Sequence, residues 1–424
     1  MCMANVLVHQ EEDPRARSSR SSSGGDGTFL RRHPWSVLAA TLSIGSFFAV
    51  VKDIAGAGNL GIDFGVFHAG GTLISDQGYD AAYDTGGFSS FFAEAYFPSL
   101  AESDTVSHFI STPTFGWFAQ GLAAFPFTIA FWVWTVVGFA VLVPACRVLE
   151  LPRWVPLALA VSPMMAFNTA LGQTGPFVLL LFALWHVAHR DSRLVSAGLL
   201  GGLLILKPPL AFGYGLLWLI QSRRYGKSIA VAAGTGLVLS IPTFVAGIGP
   251  WRGFLDAMIE RTENESAWAQ QSGSVSEFVK LLTPGAPSWV TVLSWIVGFF
   301  VAGGLLVVTR RRFGEDHELL SAAAVIATII ASPHLLIYDS LILVIPAAVA
   351  YRRGVLTGDR AGLLGALIVG SIALGPVLFE IQFGLIGRGI GVEFLALIAS
   401  TILLGRWIEE AKPNTVSSAV SANL

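Results

Sequence analysis

The chain has 424 residues, of which 53% are hydrophobic and 13% charged, with a mean hydropathy of +0.65. A soluble domain carries about a quarter charged residues, so this composition belongs to an all-α, polytopic integral membrane protein. The formal net charge of −2, with basic residues scattered in twos and threes, leaves no stripe for a phosphate backbone and excludes nucleic acid as a partner. The two cysteines, Cys2 and Cys146, offer neither a disulfide framework nor a thiolate metal site.

In chain order, residues 1–30 hold Glu11-Glu12-Asp13-Pro14 and a Ser/Arg/Gly run from Arg17 to Gly25. They cannot bury enough apolar surface to fold and are expected to be a disordered cytoplasmic tail. Trp35 to Val51 follows Arg31-Arg32 and reads as a retained anchor rather than a signal peptide. Residues 52–108 then make the longest interval between convincing spans. They carry Asp63 in Gly61-Ile62-Asp63-Phe64-Gly65, then Tyr79-Asp80, Tyr83-Asp84, Glu94 and His108. Alone, Asp63 reads as the cap of a helix beginning at Phe64. A long first loop that opens on a carboxylate points instead to a reaction site at the membrane surface.

The next segment, Phe109 to Phe125, contains Thr112-Pro113-Thr114, Gly116, Gln120 and Gly121, which suits an interfacial helix at the outer surface rather than a crossing. At about 20 apolar residues per crossing, further spans are expected near Ala130–Leu149, Val155–Thr169, Pro176–Ala188, Leu194–Leu206, Leu210–Ile220, Ile229–Ala246, Trp289–Thr309, Leu319–Ala331, Leu335–Tyr351, Ala361–Phe379 and Ile390–Trp407. With the first, they make about twelve. The basic clusters Arg190 to Arg193, Arg223-Arg224, Arg310-Arg311-Arg312 and Arg352-Arg353 follow alternate spans, which places them in the cytoplasm. The expected organisation is a transmembrane domain over 31–410 with outer loops 52–108 and 247–288, and a cytoplasmic tail at 411–424. The second loop mixes apolar and charged residues around Trp251 to Asp256, as interfacial helices do.

With this topology Gly172-Gln173, Lys207-Pro208, Ser332-Pro333-His334 and Tyr338-Asp339 end on the same side as Asp63. Ionisable residues at membrane depth are costly and are functional candidates by default. Several from separate helices on one face imply a lined cavity. His108, His186 and His189 lie at helix ends, where histidine is commonly a surface residue. Trp251 and Trp268, in the second outer loop, are placed to stack on sugar.

The string Asp63-Phe64-Gly65-Val66-Phe67-His68-Ala69, the stretch from Gly78-Tyr79-Asp80 to Tyr83-Asp84, Thr112-Pro113, Gly172-Gln173, Ala197 to Gly202 leading into Leu206-Lys207-Pro208, and Ser332-Pro333-His334 with Tyr338-Asp339 together resemble glycosyltransferase family 87. These are polyprenyl-phosphate-sugar-dependent transferases of the GT-C fold. The chain departs from the family at Ser111-Thr112-Pro113, where Tyr-Pro-Pro is frequent, and near His68, where Tyr or Trp is. The resemblance implies a GT-C-type helical bundle and a polyprenyl-phosphate hexose donor, most often mannose, presented from the outer leaflet. Few lysines beside 46 glycines suit a GC-rich bacterial genome, so the expected acceptor is a glycolipid or glycan of the cell envelope, with membrane lipids around the site.

In that setting Asp63 is the candidate general base for the acceptor hydroxyl. His334 and Lys207 would offset charge on the departing phosphate. Gln173 would orient sugar or phosphate, with His68, His108 and Tyr338 as further sugar or acceptor contacts. Lys207 and His334 are expected to be removable without unfolding the protein. No Asp-x-Asp pair occurs in the first loop, so neither a metal clamp nor another cofactor is expected. A secondary transporter or lipid flippase is the alternative, in which Lys207 and His334 hold a translocated anion; the internal repeats common in transporters are not visible.

Overall fold

The computed structural model describes residues 34–98, 107–264, 274–283, 287–332, 337–356, 359–371 and 392–410. The two expected tails, His334 and Trp268 lie outside these residues. Among the described residues the chain forms helices and no strand. They are α1 (Pro34–Gly56), α2 (Ile62–Gln77), α3 (Tyr79–Tyr83), α4 (Thr85–Ala95), α5 (Pro113–Ala123), α6 (Phe127–Val148), α7 (Val155–Ala160), α8 (Pro163–Leu171), α9 (Gly175–Arg190) and α10 (Leu194–Gly202). Two 3-10 turns, Leu203–Leu206 and Pro208–Ala211, flank Lys207. There follow α11 (Phe212–Ile220), α12 (Ser222–Val245), α13 (Gly249–Asn264), α14 (Val275–Leu282), α15 (Ser288–Phe313), α16 (His317–Ala331), a 3-10 segment Ile337–Leu343, α17 (Val344–Arg352) and α18 (Val392–Glu410).

Among the described residues four helices are each long and apolar enough to cross a bilayer: α1, α6, α12 and most of α15. They mark a membrane protein. Other expected spans are built from shorter pieces. Val155 to Thr169 is two helices, because Ser162 accepts from the Met165 N–H at 3.3 Å and Pro163 opens a new helix behind it. Within the expected span Leu335–Tyr351, Ile337–Leu343 is 3-10 and the α-helix begins only at Val344. Helix α5 has 11 residues, about 16 Å of rise, which falls short of a hydrocarbon core of about 30 Å. The Thr112 hydroxyl starts it by accepting from the Phe115 N–H at 3.2 Å.

Helix α16 is apolar on every side and is buried from Leu319 to Ala331, the pattern of a helix at a bundle centre. It packs against α9, α11 and α15, and the Trp185 ring of α9 stacks on Tyr214 of α11 at 3.9 Å. A second apolar cluster joins α2, α3 and α4 to α13 through Phe88, Phe92, Phe109 and Phe254. The two segments expected to be outer loops therefore share a core of their own.

The bundle has two chemically distinct ends. At one, Arg190 pairs with Glu150 at 2.9 Å, Arg224 with Glu315 at 2.7 Å, Arg353 with Asp316 at 2.8 Å, and Arg352 donates to the Leu149 carbonyl at 2.7 Å. The other end holds Asp63, Gln173, Lys207 and Asp339. Helix α9 spans the distance, from Gly175 beside Gln173 to Arg190, about 24 Å over 16 residues. If the arginine end is cytoplasmic, a cysteine at exposed Gly86 should label with an impermeant maleimide in intact cells, and one at exposed Ser222 should label only after permeabilisation. The opposite pattern would turn the molecule over.

Candidate active site

Two left-handed glycines build the acidic half of the site. Gly61 (φ 79°) donates its N–H to the Ala170 carbonyl at 2.6 Å and starts α2, so Asp63 is the second residue of that helix. The N-cap position weighed for Asp63 from sequence is corrected: Gly61 holds it, and Asp63 lies in the first turn. Gly172 (φ 75°) ends α8 where a side-chain carbon would come within 2.4 Å of Phe64 Cβ. This close passage sets Gln173 beside Asp63, and Gln173 Nε2 donates to Asp63 Oδ2 at 2.6 Å. The Gln173 carbonyl accepts from Trp134 Nε1 at 3.2 Å, which holds the turn against α6.

The basic half sits at a second interruption. Lys207 lies between two 3-10 turns because Pro208 cannot continue the first. Its ammonium pairs with Asp339, donates to Thr174 Oγ1 at 3.3 Å and lies 5.2 Å from the Tyr338 ring centroid. Asp339 is 1% exposed, while the Lys207 side chain is 27% exposed. An ammonium has three N–H donors; among the described residues Lys207 directs two at Asp339 and Thr174, leaving one for a ligand. Gln173 and Thr174 are consecutive, so Asp63, Gln173, Thr174, Lys207 and Asp339 form one connected polar path. All of its carriers sit where a helix starts, ends or narrows to 3-10.

Of the candidates read from sequence, the structure brings together Asp63, Gln173, Lys207 and Tyr338. His68 is not on this path. Its Nε2 faces the Phe125 carbonyl at 2.9 Å and its Nδ1 faces the Tyr96 hydroxyl at 2.7 Å. A carbonyl only accepts, so Nε2 carries the proton and Nδ1 accepts from the phenol. Both ring nitrogens are thereby occupied within the protein, and His68 reads as a tie between α2, the end of α4 and the α5–α6 turn. His108 is buried near Glu260 of α13, with Nε2 to Oε1 at 3.7 Å. His186 and His189 belong to the arginine end, where they meet Ser321 and Trp218. His334 lies outside the described residues. No three His, Cys, Asp or Glu side chains converge among the described residues in a metal-binding arrangement.

Burial lowers the pKa of His68 below 6.5, against a smaller raising effect of the Phe125 carbonyl. The folded state therefore resists protonation more than the unfolded chain. Stability from this tie is fully present above about pH 6.5 and falls as pH drops toward the lowered folded value. We expect the thermal midpoint to decline below about pH 6.5 and this decline to be smaller in His68→Gln, as read by thermal unfolding across pH. Equal slopes in both proteins would remove His68 from that role.

Asn168 and Thr174 are absent from the sequence candidates, and Asp339, which the sequence places with Tyr338 on the Asp63 side, has no substrate contact assigned there. Asn168 carries a usable signal, a carboxamide in the apolar run Pro163–Leu171, buried to 3% exposure. Thr174 carries none, since hydroxyls in apolar helices commonly bond to their own backbone.

A model of glycosyltransferase family 87 matches residues 109–333, more than half of the chain. The chain belongs to glycosyltransferase family 87. No curated protein and no solved structure matches it. Family 87 membership makes the protein a glycosyltransferase, which uses a sugar donor and an acceptor. The family 87 match takes in Asn168, Gln173, Thr174 and Lys207; Asp63, His68 and His108 precede it, and His334 and Tyr338 follow it.

Proposed function

We propose that the protein transfers a hexose, mannose being the first candidate, from a polyprenyl-phosphate donor to an envelope glycolipid or glycan on the outer face of a bacterial membrane. The observation that supports this reading is the connected polar path from a carboxylate, Asp63, to a partly exposed ammonium, Lys207. Those are the two functions that displacement at an anomeric carbon requires. The acceptor hydroxyl, with a solution pKa far above 7, gives its proton to Asp63 as its oxygen bonds to the anomeric carbon. The bond from that carbon to the phosphate oxygen breaks on the opposite face, and the configuration inverts. The polyprenyl phosphate leaves with the bonding electron pair, and its added charge meets the Lys207 ammonium. Gln173 keeps Asp63 aimed while the proton moves. His334, from the sequence resemblance, is proposed for the same phosphate.

An apolar groove of about 500 Å³ lies beside this end, between the turns flanking Lys207 and α12, with Ile205, Pro208, Phe244 and Trp251 among its walls. A donor with a long isoprenoid chain needs an apolar surface next to its phosphate, and the groove supports that class. The test is transfer by purified protein from polyprenyl-phosphate-mannose to envelope lipid extract, read by mass spectrometry beside the glycans lost on gene deletion. Transfer from a nucleotide sugar alone, or none from any lipid-linked hexose, would overturn the proposal.

A further inference from the structure

Asn168 lies on α8, at 3% exposure, between the two halves of the site. Its carbonyl accepts from the Gln173 N–H at 2.8 Å and its Oδ1 from the Gly175 N–H at 2.8 Å. Its Nδ2 donates to the Met164 carbonyl at 2.8 Å and to the Tyr338 carbonyl at 3.0 Å, across 170 residues of sequence. The orientation of the amide follows from its partners, since backbone N–H groups only donate and carbonyls only accept. Oxygen must face Gly175 and nitrogen must face Tyr338.

The Gly175 end of this clamp anchors the turn that carries Gln173, the partner of Asp63, and Thr174. The Tyr338 end anchors the segment that carries Asp339, the partner of Lys207. No other side chain of this length both accepts and twice donates: aspartate only accepts, and leucine does neither. The cost of burying an amide is met by satisfying all of its donors, which makes the bridge rigid as well as stable.

We infer that Asn168 is a positioning residue that sets the spacing between the Asp63–Gln173 and Lys207–Asp339 halves of the active site. This rests on the proposed function for its catalytic meaning, while the clamp itself is a property of the fold. A bare role in ending α8 is served already by Gly172, whose left-handed turn returns the following N–H groups to the helix.

The test uses full-length protein in lipid nanodiscs. Asn168→Asp keeps the size and the acceptor for Gly175, but turns the donor facing Tyr338 into a second acceptor. Asn168→Ser introduces no buried charge and is too short to reach Tyr338. Misplacement of reacting groups by about 1 Å costs on the order of 100-fold in rate, so kcat should fall by about that factor in both variants with KM for the donor little changed. Hydrogen exchange should also quicken by about tenfold at Ile337–Leu343 in both, while in Asn168→Asp residues 173–175 keep wild-type protection. A purely structural residue would lower the thermal midpoint and leave kcat per folded molecule alone. Wild-type kcat, or wild-type exchange at Ile337–Leu343, in a folded variant overturns the inference. If the unmutated protein transfers no sugar, the proposed function falls, and the exchange data still decide whether Asn168 ties the two segments.

Discussion

Asp63→Asn should give a folded, inserted protein that transfers sugar on the order of a hundred- to ten-thousand-fold more slowly, the usual loss on removing a general base. The substitution keeps the volume, and an asparagine oxygen still accepts from Gln173 Nε2 where Asp63 Oδ2 does at 2.6 Å. It removes the ability to take the acceptor's proton. Because Gly61 holds the N-cap position of α2, Asp63→Ala loses no N-cap bond; its cost should be that of leaving the buried Gln173 amide without its acceptor, about 1 to 3 kcal/mol. Donor affinity should hardly move if, as proposed, the phosphate meets Lys207 on the other half of the site. Initial rates with polyprenyl-phosphate-mannose, measured beside thermal unfolding, decide it. Full transfer by the Asn variant ends the base assignment, and a transporter would transfer nothing in either form.

Lys207→Met should strike stability and activity together. From sequence, Lys207 looks removable without harm to the fold; the ion pair changes that expectation. Asp339 is 1% exposed and would lose its cation, and breaking a buried pair from one side commonly costs about 3 to 5 kcal/mol. Replacing both members by neutral groups is often close to silent. The double variant Lys207→Met/Asp339→Leu should therefore regain most of the lost thermal stability and none of the transfer activity. Two outcomes would be decisive against this account. Recovery of activity in the double variant would make the pair structural only, and an unchanged midpoint in Lys207→Met would mean that the pair does not hold the site together.

Part of this was legible in the sequence. Few charges in a long apolar chain dictate membrane helices, and an acid, an amide and an amine at the ends of apolar runs stand out because each costs free energy at that depth. Hence Asp63, Gln173, Lys207 and Tyr338 are visible as a group before any coordinates. Their pairing is not visible. Gln173 reaches Asp63 over 110 residues and Lys207 reaches Asp339 over 132, and hydropathy periodicity has no memory at that range. His68 is a polar residue in the same string whose two ring nitrogens meet Tyr96 and Phe125, partners that the string does not reveal. The about twelve expected crossings are likewise coarser than the helices, since Pro163 and the 3-10 segment at Ile337–Leu343 interrupt apolar runs that composition alone reads as continuous.

The helix interruptions that carry the polar path make stability and function pull in opposite directions. A helix regulariser at Lys207-Pro208, or a side chain that straightens Ile337–Leu343, would recover backbone hydrogen bonds that these stretches forgo, and selection for heat tolerance alone should accept it. The same change would carry an amine or a carboxylate off by a fraction of a turn. Laboratory evolution toward a hardier protein should therefore concentrate its gains at the arginine end and on the lipid-facing helices, leaving these breaks untouched only while sugar transfer is also selected.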